Sequence, residues 1–228
     1  MRVNITPIRA DEVEATTLAF FTPEFVSQQL GQPGNWQGDE CERMKLKGVV
    51  DKPILDHVLN GNSPSGSAPA GGNWRGERQP VGWKITFDLD WRHNTLWAVG
   101  DGEVRDLARF SHVNAVRTNL DMINQVVRRA AGFGPTDRVG AVFAVFESGT
   151  SEGQVPALRS TVIVPQGHLR DDGSVMTFPS RIISGCGPRL NQTYLCELIP
   201  REFHAFGSIG APTAASRKDC SNHWPTIR

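Results

Sequence analysis

Tyrosine is almost missing from this chain, with Tyr194 the only one. Chemistry built on a phenolic nucleophile therefore has a single candidate, and it sits in "NQTYLCEL", late in the chain. Histidine is absent between His112 and His168. The six histidines (His57, His93, His112, His168, His204 and His223) form no HxH or HExxH spacing, so they read as scattered surface or capping residues rather than a ligand set. The four cysteines (Cys41, Cys186, Cys196 and Cys220) form no CxxC. A zinc site is not expected, and free thiols of a reducing compartment are. Cys186 in "GCG" has no histidine close in sequence to activate it and reads as a buried or free thiol.

Other absences bound the function. No apolar run reaches the roughly 18–20 residues of a membrane span, and "MRVNITPIRADEVEA" lacks the apolar core of a signal peptide. A cytoplasmic address is the expectation. No Walker-type phosphate loop occurs, which disfavours nucleotide hydrolysis. The 24 basic and 24 acidic residues cancel. No global field draws the chain to nucleic acid, although a local patch stays open.

What remains is ordinary for a globular protein: 39% hydrophobic and 21% charged over 228 residues, enough for one large domain with a sizeable core. "RVNITPI" alternates as an opening strand, and "RADEVEATTLAFF" carries acids in the first turn of a helix. Residues 61–80 are rich in Gly, Pro and Ser and read as a flexible loop. A strand is expected from Val81 to Phe87. One long or two shorter amphipathic helices follow from Asp101 to Ala131, closed by Gly132. "VGAVFAVF" is apolar on both faces, as a central strand would be, and "RSTVIV" is its expected partner. In "FDLD", Asp88 and Asp90 are two apart on one strand face, where they either hold a metal or are surface acids. The class is α/β (α+β), with an antiparallel sheet. The domain spans residues 1–207, and a polar tail covers 208–228.

Several stretches in order carry a resemblance. "WQGDECERMKLKGVVD" and "VLNGNSPSG" echo a family pattern WxGxGAexLGLxGxVd followed by LLxGxxPxG. "GWKITFDLDWRHNTLWAVGD" follows GxDLTFSAPKSVSLLWALGD without a gap, "SHVNAV" follows AHxxAV, and "SGTSEGQVPALRSTVIV" lines up with HxTSRxxDPQLHTHxVV. "DDGSVMTF" and "QTYLCEL" match a DGxW…YRxEL pattern near the C-terminus. Over residues 1–207 the chain resembles the relaxase domain of MobF-type conjugative relaxases, the TrwC/TraI family. The resemblance implies a two-layer fold with a central antiparallel sheet flanked by helices. It also implies enzymes that nick one plasmid strand at the transfer origin and become attached to its 5′ end.

Such an enzyme uses a tyrosine as nucleophile, three histidines on a divalent metal, and an aspartate that orients one of them. Carried onto this chain, the tyrosine region is "LAFFTPEFV", with Phe20, Phe21 and Phe25. The aspartate position is Lys84, and the histidine positions are Ser148, Arg159 and Thr161. All five positions differ, and a fixed guanidinium repels a divalent cation. The expectation is a catalytically inactive relaxase-like protein with no cofactor or metal.

A retained groove for single-stranded or hairpin DNA would use cations and stacking aromatics. The candidates are Trp36, Lys45, Lys47, Trp74, Arg75, Arg78, Lys84, Trp91, Arg92 and Arg159, with Lys84 and Arg159 placed to take a phosphate. These residues either line such a groove or are solvated cations and core tryptophans. A second function stays open, a relaxase fold reused to dock a protein of the conjugation or secretion machinery, without DNA binding.

Overall fold

A computed structural model describes residues 2–29, 33–68, 80–133, 140–150, 155–169 and 173–206. Its strands are β1 (Arg2–Ile8), β2 (Asn35–Gln37), β3 (Gly82–Asp88), β4 (Phe143–Thr150), β5 (Pro156–Pro165), β6 (Gly167–Leu169) and β7 (Val175–Thr177). Its helices are α1 (Val13–Leu18), α2 (Pro23–Gln28), α3 (Lys52–Leu59), α4 (Trp91–Val99), α5 (Gly102–Ala130), α6 (Ser180–Ser184) and α7 (Gly187–Phe206). Five strands form one antiparallel sheet in the order β1-β3-β5-β4-β2, while β6 and β7 pair separately. This is the α+β architecture expected, with helices on both faces of the sheet.

Period two divides the sheet into two unlike surfaces. One carries Trp83, Ile85, Phe87, Leu158, Val162, Val164, Phe143 and Val145, buried under residues of α5 and α7 such as Ala115, Ile123, Leu190 and Tyr194. The other carries Ile163, Ala144 and Phe146 under Val13, Phe20, Leu55 and Leu59 of the N-terminal segments. Residues 143–146 of β4 and 162–164 of β5 are apolar on both faces because both faces are covered there. β1 is the outer strand, and its Val3 and Ile5 pack with the α5/α7 side. Its free edge is blunted, since the Val3 N–H donates to Asn191 Oδ1 (3.1 Å) and Pro7 has no N–H.

The structure sharpens several sequence expectations. The stretch from Asp101 to Ala131 is one helix, N-capped by Asp101, which accepts from the Val104 N–H, and ended by Gly132 at φ 78°. "RADEVEATTLAFF" is shorter than expected: a 3-10 turn at Ala10–Glu12, then α1, with Phe20 and Phe21 in the turn beyond it. The two acids of "FDLD" do not share a strand. Asp88 ends β3, while Asp90 has turned away to cap α4 by accepting from the His93 N–H. Of the loop 61–80, the described part is folded on itself, with Ser63 Oγ accepting from the Ser67 N–H at 3.0 Å. Cys41 and Cys186 are buried free thiols, and burial pushes the Cys41 thiol up to about 12. Cys196 is disulfide-bonded, which departs from the reading of the four as free thiols.

Candidate nucleic-acid interface

Strand pairing alone decides which side chains meet. Ser148 is the direct partner of Arg159 across β4 and β5, and Phe146 is the partner of Thr161. Arg159 and Thr161 are two apart, so Ser148, Arg159, Thr161 and Phe146 form a square on one face. The three positions that the resemblance assigns to histidine therefore do converge. Ser148 and Thr161 are buried and Arg159 is half-buried.

Phe20 completes the group. Its ring stacks on Phe146 at 4.3 Å and 13°, and Phe25 meets Phe20 edge-on at 5.2 Å. Phe21 stands edge-on to Phe146 at 6.1 Å. The turn holding these rings is anchored twice. Thr17 Oγ1 donates to Asp56 Oδ1 of α3 (2.6 Å), and Thr22 Oγ1 accepts from the Phe25 N–H at the start of α2. Gly34 makes room beneath, because a Cβ there would lie 2.4 Å from the Phe146 ring. The aromatic segment and the β4/β5 square are thus in contact through Phe20 and Phe146, and none of these rings carries a hydroxyl.

The charged groups lie in rows across the sheet. Arg2, Asp88, Arg159 and Ser148 are successive cross-strand neighbours over β1, β3, β5 and β4, and Gln29 bridges to Ser148 beyond them. Arg159 Nε donates to Asp88 Oδ1 at 2.5 Å, which ties the guanidinium to β3. The next row is Asn4, Thr86, Thr161 and Phe146, and the one after it is Thr6, Lys84, Ile163, Ala144 and Trp36. Lys84 is thus two rows from Arg159, about 13 Å along the strand. The two cations do not close on one phosphate as the sequence reading placed them; each would meet a different point of an extended ligand. Arg2, Asn4 and Thr6 are exposed and Lys84, Thr86 and Asp88 half-buried, so this half of the face is open, polar and carries three cations against one acid.

The other candidates divide. Trp36 is only 8% exposed and packs in the core under the N-terminal segments, which removes it as a base-stacking surface. Its burial follows from β2 being the outer strand folded beneath α1 to α3. Lys45 and Lys47 are exposed, and Lys45 takes a left-handed φ of 55° in the turn after Met44. Trp91 is 72% exposed at the first position of α4, with the Arg92 guanidinium 5.5 Å above its ring. Trp74, Arg75 and Arg78 lie outside the described residues. Sequence reasoning misses Arg2, Asn4 and Thr6, and it reads Asp88 only as a metal-holding or surface acid. Alternation in "RVNITPI" puts the first three on one face, but nothing in the local pattern says that this face adjoins Asp88.

Tyr194 lies on the opposite side. It is fully buried against Phe87 and accepts or donates a 2.6 Å hydrogen bond with His112 Nδ1, while His112 Nε2 meets Ser160 Oγ at 2.8 Å. Burial holds the His112 pKa down at about 3, so the imidazole is neutral at ordinary pH. Asp90 is pushed up by burial, but hydrogen bonds from the His93 side chain and backbone outweigh this and hold it below the usual carboxylate value. Asp88 is tied to Arg159 and Asp90 to His93, so neither acid of "FDLD" is spare for a cation. Among the described residues, no three His, Cys, Asp or Glu side chains gather where they could hold a metal ion.

Against known proteins, the family model for TrwC relaxases matches residues 12–198. The chain belongs to the TrwC relaxase family. Among curated proteins no sequence match was found. A solved structure of the conjugative relaxase TrwC with a 27-mer DNA comprising the recognition hairpin and the cleavage site is similar over 94% of this chain and 72% of that one, at 20% identity and TM-score 0.67. The metal-bound TrwC–OriT DNA structure matches at 19% identity and TM-score 0.67, over 90% of this chain and 70% of that one. The metal-free complex covers the same shares at 20% identity and TM-score 0.65. At such identities the likeness is one of fold. Among the described residues no helix is long and apolar enough to cross a membrane.

Proposed function

We propose that this chain is a relaxase-fold protein that binds DNA, single-stranded or hairpin, and does not cut it, acting as an accessory or competitor in plasmid transfer. One observation carries the reading. The aromatic segment and the β4/β5 square are assembled as one site, yet that site is built of Phe20, Ser148, Arg159 and Thr161. Phenylalanine has no oxygen to attack a phosphodiester, and Tyr194 is sealed in the core behind the sheet. The donor set does not fit a divalent metal either, because two hydroxyls and a permanent cation neither neutralise nor attract one. A guanidinium remains a good phosphate partner: Nε is used on Asp88, and the two Nη groups are the ones left to face an anion. Solved TrwC structures similar to this chain hold OriT DNA or a 27-mer comprising the recognition hairpin and the cleavage site, which supports nucleic acid as the occupant of the open face.

The test is fluorescence anisotropy over a salt series with single-stranded, hairpin and duplex oligonucleotides, repeated on Lys84→Glu/Arg159→Glu. Binding should weaken steeply with salt, and the double variant should lose most of it. Supercoiled plasmid incubated with Mg²⁺ or Mn²⁺ should stay intact; nicking abolished by chelator would overturn the inactive reading. The Asp88–Arg159 pair favours the second reading, a fold reused to dock a conjugation-machinery protein, since it cancels part of the cationic charge. That reading predicts no oligonucleotide binding even at low salt.

A further inference from the structure

The open sheet face supplies cations and hydroxyls but no aromatic surface, because Phe20, Phe21, Phe25 and Trp36 are all packed against the β4 and β2 side. One large ring stands free near it. Trp91 begins α4 three residues after Asp88, a separation that three residues limit to about 11 Å. The segment carrying it is fixed to the same end of the sheet. Asn94 Oδ1 accepts from the N–H of Leu158, the residue preceding Arg159, at 2.9 Å, and Asn94 Nδ2 donates to Leu89 O at 3.1 Å. Thr95 Oγ1 donates to Trp91 O at 2.7 Å, and Asp90 caps the helix from below. The backbone under the ring is therefore held from both sides, while the ring itself is 72% exposed. An indole left facing solvent on a backbone held in this way is available to a flat ligand surface.

The surrounding charge narrows what that is. Arg92 lies 5.5 Å over the indole, a cation beside a π face. The acids nearest in sequence, Asp88 and Asp90, are engaged by Arg159 and His93, so they present little free negative charge to an anion. An exposed indole with a guanidinium over its ring suits a flat ring carrying a phosphate, which is an unpaired nucleotide. A base inside a duplex keeps its faces stacked on its neighbours and has none to offer.

We propose that Trp91 is a stacking seat for one unpaired base, with Arg92 beside it for the adjoining phosphate, so that the preferred ligand is single-stranded. This rests on the DNA-binding reading above and names the strand state that reading leaves open. In family register the position corresponds to the lysine of the SAPKS stretch, so the seat is a departure of this chain.

The experiment is anisotropy on the full chain with a single-stranded oligonucleotide, its duplex, and a set of single strands each bearing one abasic position. Trp91→Ala should weaken single-strand binding about five- to a hundredfold, with Trp91→Phe retaining most of the affinity. Duplex binding and the thermal midpoint should not move. One abasic position should weaken the wild type and leave Trp91→Ala unaffected, because the two changes remove the same contact. If Trp91→Ala binds single strands as the wild type does while the salt slope persists, the stacking seat is overturned and the DNA reading stands. An equal loss on duplex also overturns it, since it would mark a general surface contact. If the wild type binds no oligonucleotide at low salt, both fall.

Discussion

The two faces of the central sheet solve the problem of polar residues in opposite ways. On the α5/α7 face, His112, Tyr194 and Ser160 are fully buried and bonded to one another, so each polar atom has a partner inside the protein. On the other face, Arg2, Asp88, Arg159, Lys84 and Thr86 are half-buried or exposed, and only Asp88 and Arg159 are joined to each other. The first arrangement is what a core needs, since an unmatched buried group costs about 1–3 kcal/mol. The second adds little stability, because an ion pair at such exposure contributes about 0–1 kcal/mol. Polar groups that the fold does not require, arranged in rows on one open surface, are the better guide to a ligand. The comparison also separates the two halves of that surface: its β4 side is closed by aromatic rings, and its β1–β3 side is open.

Breaking the closed half should have the largest effect. Phe20→Ala removes a ring that is 5% exposed and stacked on Phe146, and it should cost about 3–5 kcal/mol in urea denaturation. Arg159→Ala, one row further along the same face, should cost less than about 1 kcal/mol. If both cost the same, the division of the face into a packed and a working half is wrong.

The buried face can be probed through its one strongly displaced titration. Burial takes the folded His112 pKa from 6.5 to about 3, so the unfolded chain binds a proton that the folded chain refuses. The neutral imidazole contributes fully above pH 6.5, and its contribution is lost as pH falls from there towards 3. Over that window stability should drop by up to about 1.4 kcal/mol per pH unit from this group. The difference curve between wild type and His112→Gln should show that slope, whereas binding of DNA by properly folded variants should not follow it. A flat difference curve would mean that His112 is solvated and the network is not a sealed one.

Much of this fold is legible in the amino-acid sequence, and the limits have a physical origin. β1, β3, β5 and α5 carry strong periodicity, so their existence follows from spacing. α4 does not, because "WRHNTLWAV" exposes Trp91 and Val99 and has no clean apolar stripe. Its start depends on Asp90 becoming an N-cap rather than a strand residue, which only the contact of Asn94 with β5 secures. The positions that the resemblance assigns are readable from the family pattern, and pairing of β4 with β5 brings Ser148, Arg159 and Thr161 together. Cross-strand partners are not readable. Nothing local in sequence says that Arg159 faces Asp88, 71 residues away, or that Lys84 is two rows off. A long-range register is a property of the closed sheet, and it changes the reading of the cation pair.

That register yields the smallest and most discriminating change. Asp88 is the one acid in a row that also holds Arg2 and Arg159, and it takes the Nε of Arg159 at 2.5 Å. Asp88→Asn keeps the shape and a hydrogen-bond acceptor while removing the charge. At this exposure stability should change by less than about 1 kcal/mol. A phosphate near the Arg159 Nη groups would no longer feel the carboxylate, a repulsion of roughly 1 kcal/mol for unit charges about 4 Å apart in water. Oligonucleotide affinity at low salt should therefore rise by about fivefold, and the gain should shrink as salt screens it. Asp51→Asn, at an exposed acid at the N-cap position of α3 and outside these cross-strand rows, should bring no such gain. A loss of affinity on Asp88→Asn would mean that the carboxylate's chief role is to aim the guanidinium, and the open face would then act through the geometry of one residue rather than through its summed charge.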